Sequence, residues 1–377
     1  MESPFTARTP QVDPIQEIAN TLQRDLVGLF QTDSIRAHRD KSISFSGRLL
    51  ADAEKAYGPI QERFHSHGYT PMLRRSDKQD VVIAVKGIIA SSSTDRPTIN
   101  ILLFVATILT TLTAGASMAG EELWGALLSG SLSDFLTALL AGVPFAATLL
   151  GILGVHELGH YLASKYHGVR ATLPYFIPLP AVGIGTLGAF IQIKSPMTDR
   201  KVLFDIGMAG PYAGLLVAVP MFFMGLYLSI DNVVPLYAPG LTLASVGSSI
   251  FVSSLVNFFA DIPIGGTLRL NPVFFAAWLG LFLTALNLLP AGQLDGGHAA
   301  YAVLGRWAHR LAYIVVVGLI VVGALQLSMQ WFIWAFFILL SGLRHPPPLN
   351  DISEVGAARK AIGILSIVLF VILFPFL

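Results

Sequence analysis

The chain contains no cysteine. Disulfides are excluded, and so is every thiolate metal site. A metal ion would have to be held by His, Asp or Glu, a donor set that suits zinc or another first-row ion. Charge is scarce as well. Asp, Glu, Lys and Arg make up 12% of the 377 residues, against about 25% in ordinary globular proteins. The net charge is +1, a balance that points to no nucleic-acid partner. The first residues show neither the basic-then-apolar pattern of a signal peptide nor an Arg/Ser-rich, acid-poor transit pattern. What the chain has in quantity is apolar side chains, 54% of the total, with a mean hydropathy of +0.66. That composition predicts a polytopic α-helical membrane protein with the lipid bilayer as its surroundings.

The little charge present gathers at one end. Residues 1–97 hold 13 of the 24 Lys/Arg and 12 of the 23 Asp/Glu. A small soluble N-terminal α+β domain is expected over residues 1–90. Asp13-Pro14 looks like a helix start, with the acid at the N-cap and Pro first in the helix. Ile15, Ile18, Leu22, Leu26 and Phe30 follow at roughly helical spacing. The polar face, with Glu17, Arg24 and Asp25, lacks the Lys/Arg richness of a membrane-surface helix, so core packing is expected. Residues 42–50 read as a strand, 52–65 as a helix, and 70–74 and 81–85 as strands joined by a turn at 76–80. His65 and His67, two positions apart, share no helix face and are read as surface residues.

From residue 98 a series of apolar runs begins: 98–118, 136–165, 203–228, 272–290, 309–326, 330–344 and 359–377. About 20 apolar residues cross a bilayer core. The sixth run is short, so about six to seven transmembrane helices are expected over 98–377. The connections alternate in Lys/Arg content. The one at 120–134 has none, whereas 165–201 carries Lys165, Arg170, Lys194, Arg200 and Lys201. The positive-inside rule then puts the N-terminal domain in the cytoplasm and the C-terminus outside a cell membrane.

The run 136–155 carries no charged residue and ends in His156-Glu157-Leu158-Gly159-His160. A carboxylate at the centre of a membrane helix costs roughly 2.5–3.5 kcal/mol on insertion scales, so ionisable residues clustered there read as functional. Positions i and i+4 share a helix face, so His156 and His160 can hold one metal ion. Glu157, one step round, can reach a metal-activated water as general base, which is the chemistry of the H-E-x-x-H pattern. Lys165 follows His156 by nine residues, about 14 Å of helix. The site is therefore expected inside the membrane, nearer the cytoplasmic face.

Two histidines need a third protein ligand and an open position. Asp205 opens the third run, where the helix dipole favours an acid. Asp295 stands in Asn287-Leu288-Leu289-Pro290-Ala291-Gly292-Gln293-Leu294-Asp295-Gly296-Gly297-His298, where Pro290 and three glycines break the helix. Broken backbone at membrane depth is tolerated only where it is buried in protein or lines a cavity. Asp295 is the expected third ligand, with His298 as a rival and an ordinary turn Asp as the plain reading.

The segment His156–His160 followed about 130 residues later by N-x-x-P-x-x-x-L-D-G resembles the site-2 protease family of intramembrane zinc metalloproteases. The resemblance covers most of residues 136–304. It implies zinc as the cofactor, His156, His160 and Asp295 as its ligands, and Glu157 as general base. It also implies that Asn287 lies near the reacting carbonyl and steadies the oxyanion. The substrate implied is a transmembrane protein, cut within or near its membrane helix in regulated intramembrane proteolysis. The residues by themselves leave open a metal-binding transporter or a catalytically silent scaffold.

Ala209-Gly210-Pro211 with Gly214 resembles the glycine-proline helix start of that family, and Gly210 and Gly214 would let a neighbouring helix approach closely. The run 183–193 reads as a glycine-rich bend followed by a strand. Its edge, with Gly185, Gly188, Ala189 and Phe190, could hold an unwound substrate segment by strand addition. The alternative is a re-entrant loop that only seals the cavity. The connection 229–271 is too short for a folded PDZ domain, and 242–259 within it reads as an apolar helix on the outer surface or dipping into the membrane. The domain ahead of the first span, and the stretch from Lys194-Ser195-Pro196 to Gly210-Pro211, look similar to a bacterial, archaeal and plastid branch of the family.

Overall fold

A computed structural model describes residues 14–40, 42–76, 79–88, 96–121, 123–180, 183–238, 240–247 and 249–374. Asp13, the middle of the 76–80 turn and the last residues of the final run lie outside that set. The described chain forms two compact units.

The first unit is strand-containing. It comprises the N-terminal region together with residues 196–201 and 347–354. Helix α1 (Pro14–Asp25) is followed by β1 (Phe30–Ala37), β2 (Ile43–Leu49), α2 (Ala53–Ser66), β3 (Tyr69–Ser76) and β4 (Gln79–Lys86). The strands form one sheet in the order β1-β2-β4-β3, each neighbouring pair antiparallel. Helix α1 turns Ala19 and Leu22 into the core with Leu26, Phe45, Ile60 and Phe64, so the apolar stripe packs inward as expected. Helix α2 starts where Asp52 accepts a hydrogen bond from the Glu54 N–H, an N-cap that satisfies an otherwise unpaired donor. The helical spacing runs on to Phe30 in the sequence, but the helix does not. Phe30 instead opens β1, whose remaining residues are largely polar and exposed and which the apolar pattern does not predict. Beyond β3, Leu73 pairs in parallel with Asn350, which pairs in turn with Asp199.

The second unit is mostly helical. It runs α3 (Pro97–Met118), α4 (Leu123–Leu128), α5 (Leu132–Ala141), α6 (Val143–Tyr166), β5 (Tyr175–Pro178), β6 (Thr186–Phe190) and α7 (Arg200–Ser229). Then come β7 (Val233–Pro235), α8 (Leu243–Val246), α9 (Ile250–Phe259), β8 (Gly266–Leu268), α10 (Pro272–Asn287), α11 (Asp295–Leu304), α12 (Trp307–Gln326), α13 (Met329–Ser341) and α14 (Ala357–Leu373). Among the described residues, α3, α7 and α12 are each long and apolar enough to cross a membrane, and the bent pair α5–α6 would make a fourth span. The run 136–165 is thus not one straight helix. It bends by 47° at Gly142, where Pro144 in the first turn of α6 has no N–H to continue the α5 ladder. The apolar run 242–259 is likewise two short helices, parted at Gly247 with φ near +79°. The core of this unit gathers Phe145, Leu149 and Ile152 of α6, Phe222 of α7, and Phe274 and Leu281 of α10.

Candidate metal centre

Helix α6 buries His156, Glu157 and His160, each only 5–6% exposed. The i, i+4 spacing puts the two imidazoles side by side, with Nε2 atoms 3.2 Å apart. Asp295 enters from the start of α11. Its Oδ2 lies 3.2 Å from Nε2 of His156 and 3.3 Å from Nε2 of His160. Ligands about 2.0–2.1 Å from a tetrahedral ion stand about 3.3–3.4 Å from one another. The three atoms therefore form one face of a tetrahedron of the size a zinc ion needs. Among the described residues this is the group of three His, Asp or Glu side chains so arranged. His298 is not part of it.

Neighbouring backbone packs closely around these candidate ligands. Nδ1 of His160 lies 2.6 Å from the carbonyl oxygen of Ile206 on α7. A proton on Nδ1 leaves the Nε2 lone pair for a metal. Helix α7 can come that close because it carries glycine where it faces the ligands. A Cβ on Gly210 would collide with the His160 ring, and one on Gly214 would stand 3.3 Å from His156. Gly159 of α6 answers from the other side, where a Cβ would meet the Ala209 carbonyl at 2.6 Å. The close approach expected of Gly210 and Gly214 is thus directed at the histidine helix itself. Gly296 and Gly297, after Asp295, pack on the carbonyls of Leu288 and Gly292 with no room for a side chain. That tight turn aims the Asp295 carboxylate back at α6.

The remaining site residues fall around this triangle. Asn287, at the last position of α10, brings its side-chain nitrogen to 3.3 Å from Nε2 of His156. Ile191 lines the same cavity as Glu157. A cavity of about 220 Å³ opens on the three ligands and on Glu157, Asn287, Ala189 and Phe190. The glycine-rich run forms the expected bend and strand: β6 pairs antiparallel with β5, Tyr175 facing Phe190 and Phe176 facing Ala189. Gly185 and Gly188 stand back from the cavity lining. Gly185, at φ near +74°, packs on the Thr110 backbone, and Thr110 Oγ1 donates to its carbonyl at 2.6 Å. Gly188 has φ near +104° and open space around it.

Two features carry no readable signal in the sequence. One is the Ile206 carbonyl, a backbone atom that any residue would supply. The other is the setting of Asp205. It lies in the second turn of α7 and takes both Nε and Nη2 of Arg359 at 2.7 Å, with Nε2 of His167 at 3.1 Å. The cluster ties the ends of α6, α7 and α14 together, a role that the helix dipole alone does not suggest.

Residues 144–329 match the family model for Peptidase family M50. The chain carries a family M50 (site-2 protease) domain. The chain is also 38% identical over 246 residues to the probable zinc metalloprotease EGY1, chloroplastic, of Arabidopsis thaliana, covering 62% of this chain and 43% of that protein. Against the probable zinc metalloprotease EGY2, chloroplastic, of Oryza sativa subsp. indica, identity is 28% over 392 residues, 96% of this chain and 69% of that protein. The probable zinc metallopeptidase EGY3, chloroplastic, of Arabidopsis thaliana is 30% identical over 246 residues, 62% and 43% of the two chains. The chain thus spans less than half the length of the EGY1 and EGY3 proteins it matches. No solved structure matches it. The M50 segment contains every side chain of the triangle, with Glu157 and Asn287.

Proposed function

We propose that this chain is an intramembrane zinc metalloprotease, hydrolysing a peptide bond within or beside the transmembrane helix of a membrane-protein substrate. The observation that carries this is the ligand triangle of His156, His160 and Asp295 with a carboxylate, Glu157, on the adjacent helix position. The M50 domain and the zinc metalloprotease names of the relatives support the same reading. Zinc held there would act as a Lewis acid on the scissile carbonyl and make water a nucleophile at neutral pH. Glu157 takes the proton of the attacking water and passes it to the leaving nitrogen. Asn287, with its amide beside His156, donates to the oxygen that gains charge. A transporter has no evident need for a buried carboxylate one residue from the first ligand and outside the triangle.

The substrate lies along β6. That strand runs from Thr186 to Phe190 and continues to Ile191, which lines the same cavity as Glu157. An unwound segment adding to that strand at Ala189 and Phe190 is delivered to the general base, and Gly185 and Gly188 shape the bend that presents it. Residues 98–377 form the protease domain, with its catalytic core at 136–304, and residues 1–90 the soluble domain. Six to seven helices cross a cell membrane, the shorter α10, α13 and α14 included. The soluble N-terminal domain lies on the cytoplasmic side with the Lys/Arg-rich connections.

The test is cleavage of a panel of single-span membrane peptides by purified protein in detergent. Wild type is expected to cut, a chelated sample to stop, and added zinc to restore it. Zinc-loaded wild type that cuts no member of the panel would overturn the reading.

A further inference from the structure

His298 follows Asp295 by one helical turn and lines the same cavity, yet stands outside the ligand triangle. A second imidazole holds it. Nδ1 of His298 lies 2.7 Å from Nε2 of His345, the rings meeting edge to face at 4.6 Å between centroids. His345 belongs to the connection after α13 and is 6% exposed. Its ring stacks on Tyr301 at 5.0 Å, and its carbonyl oxygen lies 3.4 Å from Nε2 of His309. The His298 main chain is held as firmly. Its N–H donates to the Leu294 carbonyl at 3.0 Å, and Gly207 of α7 leaves 2.8 Å between a would-be Cβ and that of His298.

Burying a polar ring is unfavourable unless it is hydrogen-bonded. Here one imidazole is buried and its bond is spent on orienting another. A single proton lies between the two nitrogens, so the pair sets the tautomer of His298, as an outer partner does for a metal-bound histidine. The cavity that His298 faces is also lined by Glu157, a carboxylate outside the triangle, which favours an N–H over a lone pair on its cavity side. Where His345 donates from Nε2, His298 keeps its own proton on Nε2.

We propose that His298 is a substrate-contacting residue, its Nε2–H binding a main-chain carbonyl of the polypeptide beside the scissile bond, and that His345 is its positioning residue. The proposal rests on the peptide-hydrolase reading above and adds a group that this reading does not use.

The experiment takes the zinc-loaded full chain and a single-span membrane peptide that wild type cleaves. His298→Ala, His345→Ala, the double variant and His345→Gln are compared in kcat, KM and zinc content. Each alanine variant is expected to hold about one zinc and to lose about tenfold in kcat/KM, mostly through KM. The double variant should be no worse than His298→Ala, because His345 acts through His298. His345→Gln should recover part of the loss, since its amide can still donate to Nδ1. The same order should appear in binding of the peptide to Glu157→Gln protein, which is expected to hold it without cutting. Full activity of His345→Ala, multiplied losses in the double variant, or zinc loss from His298→Ala would each overturn the proposal. If zinc-loaded wild type cuts no peptide, the hydrolase reading itself fails, a different result that removes the role of His298 with it.

Discussion

The Nδ1 atom of His160 lies 2.6 Å from the carbonyl oxygen of Ile206, so a ligand side chain on α6 takes its orientation from the backbone of α7. The contact needs the two helices nearly touching. Gly210 and Gly214 supply the space, one against each histidine ring.

Gly210→Ala is therefore expected to displace the His160 ring and to weaken zinc binding by about 10- to 100-fold, the range seen when an outer-shell contact is lost. Gly214→Ala, whose new methyl would stand 3.3 Å from His156, should cost much less. Zinc content after dialysis against a graded chelator separates the two. Equal retention by both variants would show that the helix approach does not govern the site.

Glu157→Gln should keep the zinc, because the three ligand atoms belong to other residues. Cleavage should fall by roughly 100- to 10,000-fold, the usual contribution of a positioned general base. Zinc analysis and single-turnover cleavage on one preparation check both halves. A Glu157→Gln variant that still cuts would falsify the base assignment.

Asp295→Ala removes a ligand rather than a base. Zinc is expected to be lost together with activity, and added zinc should not restore cleavage as it does for chelated wild type. Retention of about one tightly held zinc per chain would mean that another residue completes the site.

Arg359→Gln breaks the paired hydrogen bonds to Asp205. Both side chains are about a third exposed, at 32% and 26%, so solvent screening limits the loss to about 1 kcal/mol. A lower unfolding temperature in detergent with unchanged zinc content is the expected outcome. A variant that unfolds like wild type would show that the cluster adds nothing measurable.

In the strand-containing unit, the Tyr57 hydroxyl donates to the Pro71 carbonyl at 3.1 Å, and burial pushes the phenol above its ordinary pKa of 10.0. Below about pH 10 the proton stays on in both folded and unfolded chains, and the stabilising contribution is intact. As the pH rises beyond that, the unfolded chain gives up its proton first and stability falls. Between about pH 9 and about pH 11 the unfolding temperature of the full chain should drop more for wild type than for Tyr57→Phe. Equal drops would remove Tyr57 from the alkaline response.

Much of the site is legible in the sequence because its strongest signals are local. His156 and His160 share a face by helical periodicity alone. Pro290 with Gly292, Gly296 and Gly297 marks a broken helix end in any context. The strands expected at 42–50, 70–74 and 81–85 alternate or carry β-branched residues, and they reappear as β2, β3 and β4. Strand β1 is hidden because its Gln31, Asp33 and Arg36 show no apolar alternation. An edge strand needs little of it, and pairing with β2 supplies the order. The 47° bend at Gly142 escapes a hydropathy reading, which averages across a break that one Gly and one Pro impose.

What the sequence by itself determined is the chemistry: a cysteine-free, lipid-dwelling chain whose buried ionisable groups stand at metal-ligand spacing on one helix. Only the tertiary structure decided which distant groups join them. Asp295 rather than His298 closes the triangle, Ile206 orients His160, Arg359 clamps Asp205, and His345 holds His298. The reason is physical. Periodicity fixes neighbours along one helix, whereas contacts between helices depend on how closely their backbones pack, and that is set by glycines whose purpose shows only when the facing helix is in place.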